Sequence, residues 1–302
     1  SSDLLLSGVL PEGSSFVVAT PSPGGGYALG AADGGVYLVA ADGQVEQHLS
    51  ADGGSAGLPD NAIRALLFDP SGRLWIGTVQ GLARLEGDGR VSTWRHQAGD
   101  PYALPGDRIV GLHSDRRGLL WIGTWTGGLA RFDPDSERIR VSRQQGPVNL
   151  PANAVTTIAA GVEGQLWLGM VDRGGVVQLA ADGRLLGAYS SRSDNAQRLT
   201  SDDVTSLLVE PRGVWVGYVR GGVDLLQNDG SVRRIPTGLG PRALPVSATQ
   251  ALLLDRDGTL WIGLLGGGLY ALCASCEDLH NWAVDSQGRD GPLGGSINDI
   301  LQ

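Results

Sequence analysis

The chain has 302 residues, of which 41% are hydrophobic and 18% charged, as in globular proteins with a sizeable core. Its formal net charge of −9 repels phosphate backbones, so no nucleic-acid partner is expected. All 23 basic residues are arginine, which excludes Schiff-base and phosphate-loop lysines. No apolar run approaches the ~20 residues of a membrane-spanning helix, so we expect membrane contact only through segments outside this sequence.

A short motif of an aliphatic residue, tryptophan, a second aliphatic residue and glycine recurs along the chain. A weak first copy at residues 27–30 has alanine in place of tryptophan, and five full copies follow, with Trp75, Trp121, Trp167, Trp215 and Trp261. These tryptophans are 46, 46, 48 and 46 residues apart. A Leu-Pro pair, replaced by Leu-Thr at residues 199–200, marks the same period. Repeats of this length predict a repeat architecture.

Each repeat contains four short segments rich in branched and aliphatic residues, separated by glycine, aspartate, proline or serine. In the third repeat the predicted strands are 108–114, 119–124, 128–132 and 137–141. No stretch has sustained helical periodicity. The sequence therefore predicts an all-β fold, a β-propeller with four-stranded antiparallel blades. We expect each repeated tryptophan to pack against the next blade and the following glycine to allow close backbone approach.

The blade count has two interpretations. Six full repeats run from Leu10 to about residue 292, and residues 296–301 match the first strand of a seventh. Seven blades of this period need about 330 residues. We expect residues 1–302 to form a single propeller domain, or most of one, from a longer receptor that completes seven blades. Six blades with loose ends are the alternative.

Residues 255–263, which read Asp-Arg-Asp-Gly-Thr-Leu-Trp-Ile-Gly, and the Gly-Gly-Leu at 267–269 resemble the two-component regulator propeller repeat. Residues 69–78 and 115–131 are similar to it as well. The first repeat departs from the pattern by lacking tryptophan, and the fifth by a shortened turn at residues 211–213. The resemblance implies a periplasmic sensor domain of a bacterial inner-membrane receptor. It further implies a small-molecule or glycan ligand, an output kinase or diguanylate cyclase elsewhere, and homodimerisation through the full receptor.

The search for catalytic residues is mostly negative. The four histidines, His48, His96, His113 and His280, have no metal-ligand spacing, so we predict no metal, no cofactor and a non-catalytic chain. Residues 53–57 match a nucleophile pattern but lie in a loop between blades. Residues 255–258 are predicted to form a turn rather than part of a calcium loop. For Cys273 and Cys276, a local disulfide and two free thiols stay open.

Ligand contacts are expected in the loops between second and third strands and in the loops that enter first strands. Trp125 lies in such a loop, whereas the other tryptophans belong to the repeat or, like Trp94 and Trp282, to fourth strands. An aromatic platform suits sugar rings, and arginines suit carboxylate or sulfate groups. The predicted binding residues are Trp125, Arg108, Asn61, Asp172, Arg173, Tyr218 and Arg220. Packing of Trp125 over a neighbouring blade is the alternative.

Two other functions remain as alternatives to a ligand sensor. A propeller lyase or lactonase would need histidine, glutamate and aspartate side chains that converge around the central opening. A protein-interaction scaffold would have flat loops without a pocket.

Overall fold

The computed structural model describes residues 15–52, 57–144, 149–193, 198–238, 243–273, 279–281 and 296–300. In these residues, 24 strands form six antiparallel sheets of four strands each, with sequence neighbours paired in every sheet. Each sheet is one blade of a six-bladed β-propeller. The predicted fold class is therefore confirmed.

The strand bounds of the first three blades follow the repeat. Blade 1 contains β1 (Phe16–Pro21), β2 (Tyr27–Ala31), β3 (Val36–Val39) and β4 (Val45–Leu49). Blade 2 contains β5 (Ile63–Phe68), β6 (Leu74–Thr78), β7 (Gly81–Leu85) and β8 (Val91–Trp94). Blade 3 contains β9 (Ile109–Ser114), β10 (Leu120–Thr124), β11 (Gly128–Asp133) and β12 (Arg138–Ser142), within one residue of the predicted bounds.

The last three blades have the same order. Blade 4 contains β13 (Val155–Ala160), β14 (Leu166–Met170), β15 (Gly175–Leu179) and β16 (Leu185–Tyr189), with a 3-10 turn at Val162–Gly164. Blade 5 contains β17 (Val204–Glu210), β18 (Gly213–Tyr218), β19 (Val223–Gln227) and β20 (Val232–Ile235). Blade 6 contains β21 (Thr249–Leu254), β22 (Leu260–Leu264), β23 (Gly268–Leu272) and β24 (Leu279–Asn281).

The chain divides into two compact units, Ser1–Ser142 with blades 1 to 3 and Arg143–Gln302 with blades 4 to 6. Inside the first unit, β5 contacts both β1 and β9, and inside the second, β17 contacts both β13 and β21. Hydrophobic clusters fill the space between neighbouring blades of each unit. The prediction that residues 1–302 belong to one propeller domain of a longer receptor stays a prediction.

The glycine after each repeated tryptophan lies against the first strand of the following blade. A Cβ atom on Gly77 would lie 2.7 Å from Cγ2 of Ile109, and one on Gly169 would lie 2.6 Å from Cγ1 of Val204. Both distances are shorter than van der Waals contact, so a side chain at either position would push the two blades apart. The expected close approach of neighbouring blades is therefore confirmed for blades 2 and 3 and for blades 4 and 5.

Gly263 in blade 6 has the same kind of neighbour. A Cβ atom there would lie 2.6 Å from Cγ2 of Ile297, and the amide of Ile297 donates to the carbonyl of Leu264 at 3.0 Å. Residues 296–300 form no strand in the structure. Ile297 nevertheless packs as Ile109 and Val204 do, at the start of a following blade. A seventh blade remains a prediction.

The repeated tryptophans are packing residues, as predicted. Trp75 is completely buried, and its indole Nε1 donates to Asp69 Oδ2 at 2.9 Å. Trp121 and Trp261 donate in the same way to carboxylates six residues earlier, Asp115 and Asp255. Blades 2, 3 and 6 share this aspartate, and their spacing Asp-x5-Trp is visible in the sequence.

The same aspartates shape the turn between first and second strands. Asp255 Oδ1 accepts the amides of Asp257 and Thr259, which confirms the predicted turn at residues 255–258. The hydrogen bond from Trp261 is the largest of several that hold the pKa of Asp255 below its ordinary value. Burial raises the pKa of Asp69, but hydrogen bonds from Trp75 and Arg73 outweigh it, so that pKa also lies below its ordinary value.

Blade 5 lacks this hydrogen bond. Its turn is shortened to Pro211 and Arg212 between β17 and β18, and the preceding acidic residue is Glu210, five positions before the tryptophan. Trp215 is buried, and among the described residues its Nε1 has no hydrogen-bond partner. Blade 5 therefore provides a natural comparison for the Asp-Trp bond of blades 2, 3 and 6.

Candidate ligand-binding loops

Each loop between a second and a third strand is fixed to the entry loop of its own blade by one backbone hydrogen bond. In blade 3 the amide of Trp125 donates to the carbonyl of Arg108 at 3.0 Å. The equivalent amides are those of Ala32, Val79, Val171, Val219 and Leu265, and they donate over 2.8 to 3.2 Å. The two loop sets that the sequence predicted as binding loops are thus held together on a rigid scaffold.

Blade 3 carries the aromatic residue that the sequence singled out. Trp125 is half-buried, and the guanidinium carbon of the exposed Arg108 lies 4.6 Å from the centre of its ring. The pair is a cation–π contact. Trp125 therefore supports an arginine at the surface, and the structure brings these two candidate residues into contact.

The backbone under Trp125 is fixed by its neighbours. Thr124 Oγ1 donates to the carbonyl of Gly128 at 2.8 Å and accepts the amide of Gly127 at 3.0 Å. A Cβ atom on Gly127 would lie 2.3 Å from the carbonyl oxygen of Pro105, so only glycine fits there. The loop is therefore closely packed against the Leu-Pro entry segment of the same blade.

Blade 4 has a strained turn in the equivalent loop. Asp172 and Arg173 are both exposed and have φ values of 55° and 68°. The amide of Gly174 donates to the carbonyl of Val171 at 3.1 Å and closes the turn. Two central residues with positive φ are typical of a type I′ turn, which normally contains Asn-Gly or Asp-Gly. Two non-glycine residues in this region are an unfavourable choice for the backbone. The predicted ligand contacts of Asp172 and Arg173 stay a prediction.

Arg192 stabilises this turn, and sequence reasoning missed it. Its Nη2 donates to the carbonyl of Arg173 at 2.8 Å, and its Nε forms an ion pair with Asp202 Oδ2 at 3.1 Å. Asp202 is buried. The exposed Asp172 and Arg173 are therefore connected to a buried carboxylate through Arg192.

Asn61 has a structural role in the described contacts. Its Oδ1 accepts the amide of Ala51 at 2.7 Å, two residues after the end of β4. The same bond recurs further along the chain, from the amides of His96, Gln144 and Ser191 to Asp107, Asn153 and Asp202. Asn61 is thus one of a set of residues that hold an entry loop to the preceding fourth strand.

Tyr218 is placed differently from the expectation of a ligand contact. It is completely buried, and its hydroxyl donates to Asp224 Oδ2 at 2.7 Å. Asp224, also buried, accepts the amide of Thr200 at 2.7 Å and the Thr200 hydroxyl at 2.9 Å. Burial and the carboxylate of Asp224 raise the pKa of the Tyr218 hydroxyl far above its ordinary value. Thr200 takes the position of the usual proline, so this network holds the entry loop of blade 5.

Arg220 lies in the exposed loop of blade 5 beside Val219, whose side chain is also exposed. Leu265 in the blade 6 loop and Val246 in the blade 6 entry loop are exposed as well. The loops of the second unit therefore present arginine and aliphatic side chains together, a combination that the sequence analysis did not identify.

The histidines make local contacts. The ring of His48 stacks on Tyr37 with 4.2 Å between centroids, and His96 Nδ1 lies 2.7 Å from the carbonyl oxygen of Leu104. Burial lowers the pKa of His113, an effect that the charge of Asp115 partly opposes. Within the part of the chain that the structure describes, no three His, Cys, Asp or Glu side chains are grouped to hold a metal ion.

Three sequence predictions involve residues outside the described ranges. Trp282, Cys276 and the nucleophile-like residues 53–56 lie there. Cys273 is described and is disulfide-bonded. Among the described residues, no helix has the length and hydropathy to cross a membrane.

Six four-stranded antiparallel blades define the class of this protein, a β-propeller. A family model for the SMP-30/Gluconolactonase/LRE-like region matches residues 8–209. The chain belongs to this family. No curated protein matches the sequence significantly.

Solved structures of sensor proteins are similar to this chain. The extracellular domain assigned to the hybrid two-component system BT3049 from B. thetaiotaomicron is 25% identical, with a TM-score of 0.66 over 78% of this chain and 31% of that one. The corresponding domain of BT4673 is 20% identical, with a TM-score of 0.74 over 97% of this chain and 36% of that one. This chain thus spans about a third of either domain. The resemblance to two-component regulator propellers is confirmed.

An enzyme has the same fold. Virginiamycin B lyase from Staphylococcus aureus is 13% identical, with a TM-score of 0.67 over 89% of this chain and 84% of that one. At this identity the likeness shows the fold alone, so function has to be argued from the loops.

Proposed function

We propose that this chain is the ligand-sensing propeller module of a bacterial membrane signal-transduction protein. In this proposal it binds an anionic ligand, such as an acidic oligosaccharide, through the loops between second and third strands. The observation that carries the proposal is the stack of Arg108 on Trp125, since it places a cation at the surface on a rigid aromatic support.

The geometry of this pair favours a carboxylate or sulfate over a neutral sugar ring. A guanidinium lying over an indole keeps its N–H edge free for two parallel hydrogen bonds to an anionic group. No carboxylate of the described residues forms an ion pair with Arg108. Arg173 and Arg220 offer further exposed cations in the second unit, on a chain whose net charge is −9.

An extracytoplasmic location follows from the same proposal. The similar sensor domains are extracellular. The disulfide at Cys273 supports this location, since disulfides persist in oxidising compartments such as the periplasm. In the full receptor, ligand binding would shift the population of two states and change a distant output.

Calorimetry with three probes tests the proposal: an oligogalacturonate, a sulfated chondroitin disaccharide and neutral maltotetraose. We expect an acidic probe to bind, and Trp125→Ala and Arg108→Gln each to weaken it at least tenfold, or about 1.4 kcal/mol. Arg90→Gln is the matched control, because Arg90 is an exposed arginine of the same unit in the turn between β7 and β8, where it pairs with Asp88 at 2.7 Å. Binding that all three variants retain would remove the Trp125 loop from the site.

A propeller enzyme is the second candidate, favoured by membership in the SMP-30/Gluconolactonase/LRE-like family. The enzyme hypothesis predicts that the isolated chain turns over a lactone, which is a cyclic ester. Hydrolysis of gluconolactone above the spontaneous rate, abolished in a variant that still folds, would favour the enzyme over the sensor.

A further inference from the structure

Each of the six blades has a β-bulge at the second residue of its first strand, where the pairing with the second strand shifts. The residue left out of the pairing is Arg64 in blade 2 and is uncharged in the other five blades. Those five residues are Val17, Val110, Thr156, Thr205 and Gln250. They are partly buried, whereas Arg64 is exposed. Blade 2 therefore places a cation where the repeat has an uncharged side chain.

Two hydrogen bonds in the second unit show where a bulge residue lies relative to the next blade. The hydroxyl of Thr156 in blade 4 donates to the carbonyl of Val204 in blade 5 at 2.7 Å. The hydroxyl of Thr205 in blade 5 donates to the carbonyl of Thr249 in blade 6 at 2.5 Å. Val204 and Thr249 each begin the first strand of their blade. The bulge side chain thus lies beside the start of the following first strand.

Blades 2 and 3 of the first unit pack with the same geometry. A Cβ atom on Gly77 would lie 2.7 Å from Cγ2 of Ile109, close to the 2.6 Å of the equivalent pair in blades 4 and 5. β5 and β9 are also in direct contact. Because Ile109 begins β9, this equivalence places Arg64 beside the carbonyl of Ile109, the residue that follows Arg108.

Arg108 and Trp125 depart from the repeat as well. The backbone hydrogen bond between their two loops identifies the equivalent residues in the other blades. In place of Trp125 these blades have Ala32, Val79, Val171, Val219 and Leu265. In place of Arg108 they have Ser15, Ala62, Ala154, Asp203 and Ala248. Three departures from the repeat therefore meet where blade 2 adjoins blade 3, and two of them are exposed arginines.

The described residues do not neutralise either arginine. No carboxylate among them forms an ion pair with Arg64 or with Arg108. The nearest preceding aspartates in the sequence, Asp60 and Asp107, accept hydrogen bonds from backbone amides instead. Two cations that lie close together without a counter-ion repel each other. Anionic groups bound at both arginines would remove this repulsion.

We propose, on the basis of the function proposed above, that Arg64 is a second anion-binding residue of the Arg108–Trp125 site and that this site takes a ligand with two anionic groups. One carboxylate or sulfate pairs with Arg108 above the indole, and the other pairs with Arg64 at the start of β5. A guanidinium suits both groups, because it can donate two parallel hydrogen bonds to either. Acidic oligosaccharides with charges on neighbouring sugars have this chemistry.

Calorimetry at one fixed ionic strength tests the proposal with two matched pairs of probes. The first pair is digalacturonate and its monomethyl ester, and the second is a chondroitin disaccharide with and without one sulfate. The members of a pair share their sugars and differ by one negative charge. In the pair that binds, we expect wild type to prefer the dianion by about tenfold. Arg64→Gln should abolish this preference and leave the affinity for the monoanion within about twofold of wild type.

Arg90→Gln removes the same charge from another exposed position of the first unit and should retain the preference. Because Arg64 is exposed, Arg64→Gln should keep the wild-type melting temperature. Equal binding of both members of the pair by wild type would overturn the role of Arg64. A preference that Arg64→Gln retains, or that Arg90→Gln also loses, would overturn it as well. All three results would leave the Arg108–Trp125 site in place, whereas no binding of any probe would contradict the proposed function too.

Discussion

Trp75 and Trp125 are both stacked with an arginine, but the two pairs differ in burial and in whether the arginine has an ionic partner. Trp75 is completely buried, and Arg84 above it has a side chain only 11% exposed that pairs with Glu86 at 2.7 Å. Trp125 is half-buried, and Arg108 above it is exposed without an ion pair among the described residues.

The comparison shows the same contact in two electrostatic environments. The charge of Arg84 is neutralised by Glu86, whose pKa is kept below its ordinary value by the hydrogen bonds from Arg84 and Ser92, against the opposing effect of burial. The charge of Arg108 remains available to solvent or to a ligand. A tryptophan–arginine pair is therefore a candidate binding element only when its cation is exposed and unpaired.

Truncation of the two tryptophans should have the largest effect and should separate them. Trp75→Ala leaves a cavity in the cluster between blades 2 and 3 and should cost about 3–5 kcal/mol of unfolding free energy. Trp125→Ala should cost less than about 1 kcal/mol, as at most surface positions. Urea denaturation measures both. Equal losses would mean that Trp125 is a packing residue too.

The hydrogen bond to the repeated aspartate is the next feature to test. Trp75→Phe removes a donor to Asp69, whereas Trp215→Phe removes a buried donor that has no partner in the described residues. Both changes remove the same atoms. Trp75→Phe should therefore destabilise by about 1–2 kcal/mol more than Trp215→Phe. Identical unfolding free energies in the two variants would contradict the role of the Asp-Trp bond.

Acid should lower the stability that Asp69 contributes through its hydrogen bond with the buried Trp75. The pKa of Asp69 is below its ordinary value of 3.8, so its contribution to stability is complete above that pH and is lost as the pH falls through the lower, folded-state value. Melting temperatures between pH 7 and pH 2.5 should fall mainly below pH 4. Asp69→Asn should lower stability at pH 7 and flatten this fall, and a parallel pH profile would be inconsistent with the assignment.

The strained turn of blade 4 provides the smallest expected effect. Replacement of Asp172-Arg173 by Asn-Gly supplies the residues that a type I′ turn prefers and should stabilise the chain by up to about 1 kcal/mol. If Asp172 and Arg173 contact the ligand, the same variant should bind more weakly. A variant that is more stable and binds normally would show that these side chains are not used.

The sequence contained most of the fold because the blade signature recurs five times with nearly constant spacing. Strand identity, the turns and the packing role of the tryptophans all follow from that period. In blades 2, 3 and 6 the hydrogen-bond partner of the indole, six residues earlier, was also visible as Asp69, Asp115 and Asp255, but its role became clear only from the structure.

The candidate site was less predictable, since loop side chains are not constrained by the repeat. Asn61 and Tyr218 have the polar chemistry of binding residues, yet their polar atoms bond within the protein, to Ala51 and Asp224. Arg108 and Trp125 do meet, because a backbone hydrogen bond joins their two loops. Whether a polar side chain in a loop is free to bind a ligand depends on whether its polar atoms already bond within the protein. The sequence alone does not show these bonds.

The measurement that most directly tests the account is a double-mutant cycle at Arg108 and Trp125. Calorimetry would compare binding of the best acidic probe to wild type, Arg108→Gln, Trp125→Phe and the double variant. The account predicts that each change weakens binding and that the effects are non-additive by about 0.5–1 kcal/mol, because the two side chains act as one stacked unit. Affinity equal to wild type in all three variants would contradict it.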